Sequence, residues 1–320
     1  MNDKYHSLKS LKTLIVSLLV AICLISSCNI KSNKVDKKEK ADTFITSLGK
    51  EYAIAEPSGK MLEQYLEAKK NFEQNSNDLE NIIWYGRRTA YLGQYKKAIE
   101  IYSNGLKKYP NEPRLLRHRG HRYISLRQFD KAIQDLEKAR QLIEGTENKI
   151  EQDGMPNAMN IPVSTLHGNI WYHLGLAYYL VHDYEKSFDA YLKCRASGSN
   201  ADNIVSSTHW LYMNQRRLGN QALADEMLEP ITEELEVIEN QSYYNLCLMY
   251  KDIIPVDSVI YTDGDASASD AVKYGVANWY FYNGEKEKAQ QLMEEIVQGK
   301  SWSSFGYIAA ESDLLKYFKE

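Results

Sequence analysis

The sequence predicts an all-α fold, a right-handed solenoid of about five helical hairpins with a capping helix at either end. Three observations carry that prediction. Residues Leu79 to Leu142 contain one segment twice at a spacing of 34: Gly86 answers to Gly120, Leu92 to Leu126, Tyr95 to Phe129, Ala98 to Ala132 and Gly105 to Ala139. A period of this length belongs to helix–turn–helix arrays, whose units bury their apolar faces only by stacking. Small residues recur where paired helices must cross closely, and Tyr91, Tyr95, Tyr102, Tyr123, Phe129 and Leu136 have the bulk to fill the space between hairpins. Finally, 320 residues that are 43% hydrophobic and include 24 Tyr are ample for a continuous core.

The chain opens on a segment that lies outside the fold. Lys9 and Lys12 precede an apolar run from Thr13 to Ile25, too short to span a bilayer, which ends in Ile25-Ser26-Ser27-Cys28. Those four residues resemble the lipobox of bacterial lipoproteins. The resemblance implies that 1–27 is a signal peptide removed before Cys28, and that Cys28 carries a diacylglycerol and palmitate anchor. The mature chain would then be lipid-anchored in the cell envelope, periplasmic or surface-facing. Residues 28–57 are expected to be a flexible tether, since Asn29 to Asp42 have almost no apolar side chains. Ser58 then precedes Met61, Leu62, Tyr65, Leu66 and Phe72 at helical spacing, a helix that leads into the array through Asn75-Ser76-Asn77-Asp78.

The array occupies 58–238, with repeats near 79–112, 113–144, 168–201 and 205–238. In the third, Trp171, Leu174, Gly175 and Tyr178 give W-x₂-L-G-x₂-Y, followed by Tyr184, Ser187, Tyr191 and Cys194. The fourth runs from Trp210 through Leu218-Gly219, Ala224 and Leu228. With the first copy closing in Lys107-Lys108-Tyr109-Pro110, these residues resemble the tetratricopeptide repeat (TPR) family. Two insertions interrupt the period. Gly145 to Thr165 carries the turn chemistry of Asp153-Gly154, Met155-Pro156 and Ile161-Pro162. The second, 239–269, shows a helical patch from Tyr243 to Tyr250 and a strand-like Val256 to Tyr261. Its Asp263-Gly264-Asp265 is faintly like a calcium loop, but Tyr274 stands where the closing carboxylate belongs, so no metal is expected. Residues 270–320 read as a degenerate hairpin (Tyr274, Ala277, Tyr280, Gly284, Ala289, Met293) and a capping helix (Phe305, Ile308, Ala309, Leu315).

The family resemblance implies that the first helices line a concave groove. Carried over position by position, it points Arg87, Ala90, Tyr91, Arg114, Arg117, His121, Asn169, Tyr172, Tyr179, His209, Arg216, Arg217, Tyr274, Asn278 and Tyr282 into that groove. This predicted face is basic and aromatic, yet the chain carries −4, and about −6 beyond residues 1–27, which hold three Lys and one Asp. Such a balance argues against general nucleic-acid binding. It favours an acidic protein or peptide partner, held by Arg87, Arg117 and Arg216 with His121 and His209 beside them. The run Arg117-His118-Arg119-Gly120-His121-Arg122 has two readings, an anion site or arginines paired with neighbouring carboxylates. Partly exposed histidines would strengthen anion binding on acidification. The carboxylate-clamp positions of some family members hold Ile83, Arg87, His118, Asn169 and His173 here, none of them the clamp residue, so that mode is not expected.

No cofactor or catalytic residue is expected, because no hydrolase, phosphate-loop, zinc or dinucleotide motif occurs. Two alternatives stay open. Stacking on Tyr172, Tyr179, Trp210 and Tyr282 would suit a cell-surface glycan-binding lipoprotein, and His118, His121, His167, His173 and His209 with Asp153 would suit a hydrolase-like acid–base site. Cys194 and Cys247 read as buried free thiols.

Overall fold

Each hairpin turns in the same way, and that turn defines the repeat better than the sequence period does. The first helix ends, one residue adopts the left-handed conformation, and the next residue's N–H bonds back five residues. This occurs at Gly93, Arg127, His182, Gly219, Asp252 and Gly284, with φ between 57° and 89°. The back-bonds run from Gln94 to Thr89, Gln128 to Tyr123, Asp183 to Tyr178, Asn220 to Gln215, Ile253 to Leu248 and Glu285 to Tyr280, at 2.8–3.3 Å. Among the described residues six such turns build the array, spaced 34, 55, 37, 33 and 32 residues apart.

The computed structural model describes residues 43–54, 56–260 and 266–319, and from Thr43 onward they belong to one compact unit. Cys28 and Asp263-Gly264-Asp265 lie outside the described residues. In chain order the elements are β1 (Thr43–Ile45), β2 (Glu51–Ala53), α1 (Gly59–Gln74), then the pairs α2 (Leu79–Tyr91) with α3 (Tyr95–Lys108), α4 (Pro113–Ser125) with α5 (Phe129–Leu142), and α6 (Leu166–Leu180) with α7 (Tyr184–Ala196). There follow α8 (Ala201–Arg217) with α9 (Gln221–Met227), α10 (Gln241–Tyr250) with α11 (Val256–Ile260), α12 (Ala266–Tyr282) with α13 (Lys286–Gln298), and α14 (Phe305–Asp313) running into a π-helical turn, Leu314–Phe318. Caps mark the starts. Asp78, Thr165, Asn200 and Ser304 each accept the N–H three residues on, and Glu112 caps α4 ahead of Pro113. The small residues sit where helices cross: a Cβ at Gly120 would lie 2.8 Å from Leu136, and one at Gly175 2.7 Å from the Tyr191 ring.

Two expectations are corrected. The second insertion is a sixth, abbreviated hairpin. Its helix α10 packs between α8 and α12 and carries the same left-handed turn at Asp252. Its strand-like Val256 to Tyr261 is helical through Ile260, because Val259 is fully buried among neighbouring helices and tertiary packing overrides the β-branched preference. The tether drawn to residue 57 is also too long. Thr43–Ile45 and Glu51–Ala53 pair antiparallel, Phe44 opposite Tyr52, and both rings dock on the far end of the chain. Phe44 stacks on Trp302 at 4.3 Å, and the Tyr52 hydroxyl donates to the Gly299 carbonyl at 2.7 Å. Two anchor residues in three-residue strands are too few to show a period of two.

The array closes on itself. Helix α14 packs on α12 and α13 and also reaches α6, so it does more than cap the last hairpin. Its buried Glu311 accepts Arg127 Nε of the second hairpin's turn at 2.7 Å and the Leu48 N–H of the β-hairpin at 3.2 Å. One continuous apolar cluster accordingly runs from Phe44 to Leu314.

Candidate functional site

Closure leaves a concave chamber bounded by α2, α4 and α6 on one side and by α14 on the other. Its mouth, about 700 Å³, is walled by Tyr91, Tyr95, Met155, Tyr243 and Phe305, with Ser301, Ser303 and Ser304 along one edge. An inner recess of about 160 Å³ lies beyond Arg122 and His121, among Arg87, Arg117, His118 and His173. A side lobe of about 330 Å³ extends past Tyr172 and Asn169.

The first insertion crosses this groove as a strap. Glu151, 8% exposed, accepts Arg117 at 3.0 Å and Asn169 Nδ2 at 2.8 Å, and His118 Nε2 stands 3.2 Å from its second oxygen. Arg87 donates to the Gln152 carbonyl at 2.9 Å and Arg88 to that of Gly154 at 2.8 Å. Gly154 is needed there, since a Cβ would collide with the Tyr91 hydroxyl. On the far side of the strap lies a cleft of about 900 Å³ lined by Trp84, Arg114, Lys149 and Ile150, and Glu151 and Gln152 form the partition between the two spaces.

The predicted residues thus separate into three groups. Arg87, Tyr91, Arg117, His121, Asn169 and Tyr172 do meet around the chamber. Arg114 sits in the outer cleft, paired with Glu112 and Glu80, while Arg216 lies in another recess, bonded to Tyr212 and Asn283 and 4.2 Å over the Tyr282 ring. Tyr179, His209 and Asn278, expected in the groove, are core residues at 1%, 1% and 0% exposure. Tyr179 bonds Tyr274 and Asn278, and Asn278 bonds Arg217, whose guanidinium is ion-paired with Asp313. They are inward because the solenoid closes, which turns the concave face of its later hairpins into interior.

The basic run is mostly matched by carboxylates. Arg117 and His118 face Glu151, and Arg119 holds Asp135 through two bonds of 2.7 Å. Among the described residues only Arg122 of that run's arginines has a guanidinium with no hydrogen bond or ion pair; it rests 5.2 Å over the Tyr95 ring at the chamber mouth. The groove histidines are neutral. Burial, then Arg117, pushes His118 and His173 down to about 3, and burial alone does the same to His209. His121, 4.3 Å from His173, is held well below its usual value by burial and Arg122. The expectation of exposed, titrating histidines is corrected for His118, His173 and His209, which are buried, whereas His121 still lines the chamber. Burial by itself would raise the Glu151 carboxyl, but Arg117, His118 and Asn169 outweigh it and hold it well below the carboxylate range. Cys194 and Cys247 are buried and unpaired by any disulfide, Cys194 pushed up to about 12 by burial. No group of three His, Cys, Asp or Glu among the described residues is placed to hold a metal.

Arg122, Glu151, Tyr243 and Phe305 are site residues that position-by-position mapping misses. Arg122 was visible within the basic run; Glu151 and Phe305 belong to an insertion and a terminal helix, for which a repeat supplies no register.

No protein-family model and no curated protein matches the chain. Solved structures do resemble it. A tetratricopeptide repeat protein from Parabacteroides merdae is 14% identical with a TM-score of 0.48, over 79% of this chain and 93% of that one. MamA from Desulfovibrio magneticus RS-1 is 21% identical at 0.41, over 54% and 84%. YrrB, described as a TPR protein with an unusual peptide-binding site, is 16% identical at 0.40, over 76% and 95%. At these identities what is shared is the stacking of TPR-like hairpins.

Proposed function

We propose that the chain is a non-enzymatic binding module, tethered to a bacterial membrane through Cys28, that takes a segment of a protein or peptide partner into the concave chamber. The observation that supports this best is Arg122, an unmatched guanidinium at a mouth walled by Tyr91, Tyr95, Tyr243 and Phe305. Aromatic and arginine side chains are the residue types that dominate recognition sites. A segment with an acidic side chain beside an apolar one would satisfy both features. The anion-binding role expected of Arg87, Arg117 and Arg216 passes to Arg122, since those three are engaged within the chain. The glycan alternative is weakened by the burial of Tyr179 and Trp210.

The test is a peptide array graded in charge and aromatic content, probed with the full chain in detergent micelles beside a glycan array. Binding to acidic–aromatic peptides should weaken with salt and fall at least tenfold in Arg122→Gln. Salt-independent binding to sugars, lost in Tyr91→Ala and kept in Arg122→Gln, would overturn the acidic-peptide reading. For the anchor, Cys28→Ala should abolish palmitate labelling and move the protein out of the membrane fraction; unchanged labelling would sink it.

A further inference from the structure

The strap is held in an unusual way for a structural loop. A loop fixed by core packing buries its apolar side chains, whereas this one leaves Ile150 66% and Met155 62% exposed and buries the carboxylate between them. Its contacts are those of an extended peptide in a receptor. One acidic side chain is lodged between Arg117, His118 and Asn169, and two main-chain carbonyls are taken by Arg87 and Arg88, from three successive hairpins. Open space continues on both sides, about 160 Å³ toward the chamber and about 900 Å³ outward. At its root Asn148 donates to Thr165 Oγ1 at 3.0 Å and the Ser197 carbonyl at 2.8 Å and accepts the His167 N–H at 3.1 Å, while the main chain of Lys149 and Glu151 pairs with that of Leu166 and Ser164 at 2.9 and 3.2 Å.

We infer that residues 149–154 are a built-in ligand of the groove, and that an acidic peptide binds by exchange, putting its own carboxylate where Glu151 sits. This rests on the peptide-binding reading above and names a second subsite for it, deeper than Arg122. The strap's lodging is itself a demonstration that the site accepts a carboxylate on an extended backbone. Because the competitor is covalently attached, it is present at high effective concentration, and an external peptide's apparent affinity is reduced by the fraction of time the strap is out. Loosening the strap must therefore tighten binding without any new contact. A purely structural ion pair makes no such prediction.

The experiment uses a fluorescent peptide copying residues 147–156 and a second with Gln in place of Glu151, titrated against the full chain in micelles. Three chains are compared: the natural one, Asn148→Ala, which removes the side-chain bonds of the root and so loosens it without touching the carboxylate site, and Glu151→Gln, which weakens the competitor itself. The Glu peptide should bind Asn148→Ala about fivefold and Glu151→Gln at least tenfold more tightly than the natural chain, and the Gln peptide should be at least tenfold weaker throughout. If Glu151→Gln fails to fold by circular dichroism, the comparison with Asn148→Ala carries the test. Equal affinities for folded natural and Asn148→Ala chains, or no preference for the Glu peptide, would overturn the inference. Array binding that still depends on Arg122 would in that event leave the proposed function standing.

Discussion

At the scale of single residues, the chain spends its smallest side chains where two helices touch and its charged ones where they can be matched. Gly86 lies so close to Tyr102 that a Cβ would be 2.2 Å from the ring, and Gly175 stands in the same relation to Tyr191, itself fully buried. A larger residue cannot be accommodated by rotating a buried tyrosine packed against Trp210, with ring planes only 3° apart at 5.6 Å. Gly175→Leu and Gly120→Leu should therefore each cost about 1–3 kcal/mol or more, by overpacking a filled crossing. Urea unfolding measures this, and unchanged midpoints for both would refute the packing described here. Matched charges behave differently: Arg117 and Glu151 support one another, so removing either leaves a buried charge whose exposure to solvent is below a tenth.

Among elements, the hairpin turn shows how far sequence leads and where it stops. Gly93, Gly219 and Gly284 announce three turns directly, since glycine adopts positive φ without steric cost. Arg127 and His182 occupy the same slot, where an ordinary side chain costs roughly 1–2 kcal/mol, and both use that side chain to hold α14. Arg127 bonds Glu311 and the Trp302 carbonyl, while His182 Nε2 is 3.1 Å from the Ser312 hydroxyl. Arg127→Gly should thus relieve backbone strain yet destabilise by about 3–5 kcal/mol, because Glu311 is left buried and unpaired. The double variant Arg127→Gly/Glu311→Gln should recover part of that in urea unfolding; a single variant as stable as the natural chain would contradict the role given to the turn. The first four hairpins were legible because small and aromatic residues recur at fixed offsets. The fifth turn was hidden at Asp252, inside a spacing of 65 between Gly219 and Gly284 that reads as one repeat plus an insertion. Of the chamber, the walls from α2, α4 and α6 follow from the repeat. Glu151 and Phe305 do not, because they arrive from segments that only the closed fold brings to the groove.

For the whole molecule, closure makes an interior out of what would otherwise be a wet groove, and the histidines record it. His118, His173 and His209 titrate near 3 in the folded chain, against an ordinary value near 6.5 that the unfolded chain retains. Below pH 6.5 the unfolded state therefore binds protons that the folded state refuses, and the stability difference shrinks as pH falls toward 3. Glu151, held below its usual range, adds a loss of the same sign once its unfolded counterpart begins to protonate, near pH 4.5. Acidification should accordingly loosen the array, the reverse of the tighter anion binding that exposed histidines would give. Each buried histidine can contribute up to about 1.4 kcal/mol per pH unit, so the urea midpoint should be level from pH 8 to 7 and fall steadily from 6.5 to 5. His209 is the cleanest probe, being displaced by burial alone and touching only the Tyr250 hydroxyl, at 3.2 Å, through its ring nitrogens. In His209→Gln the slope below pH 6.5 should drop by up to one proton. A midpoint that stays level down to pH 5 in the natural chain would show that these rings remain in contact with water, and that the solenoid is open.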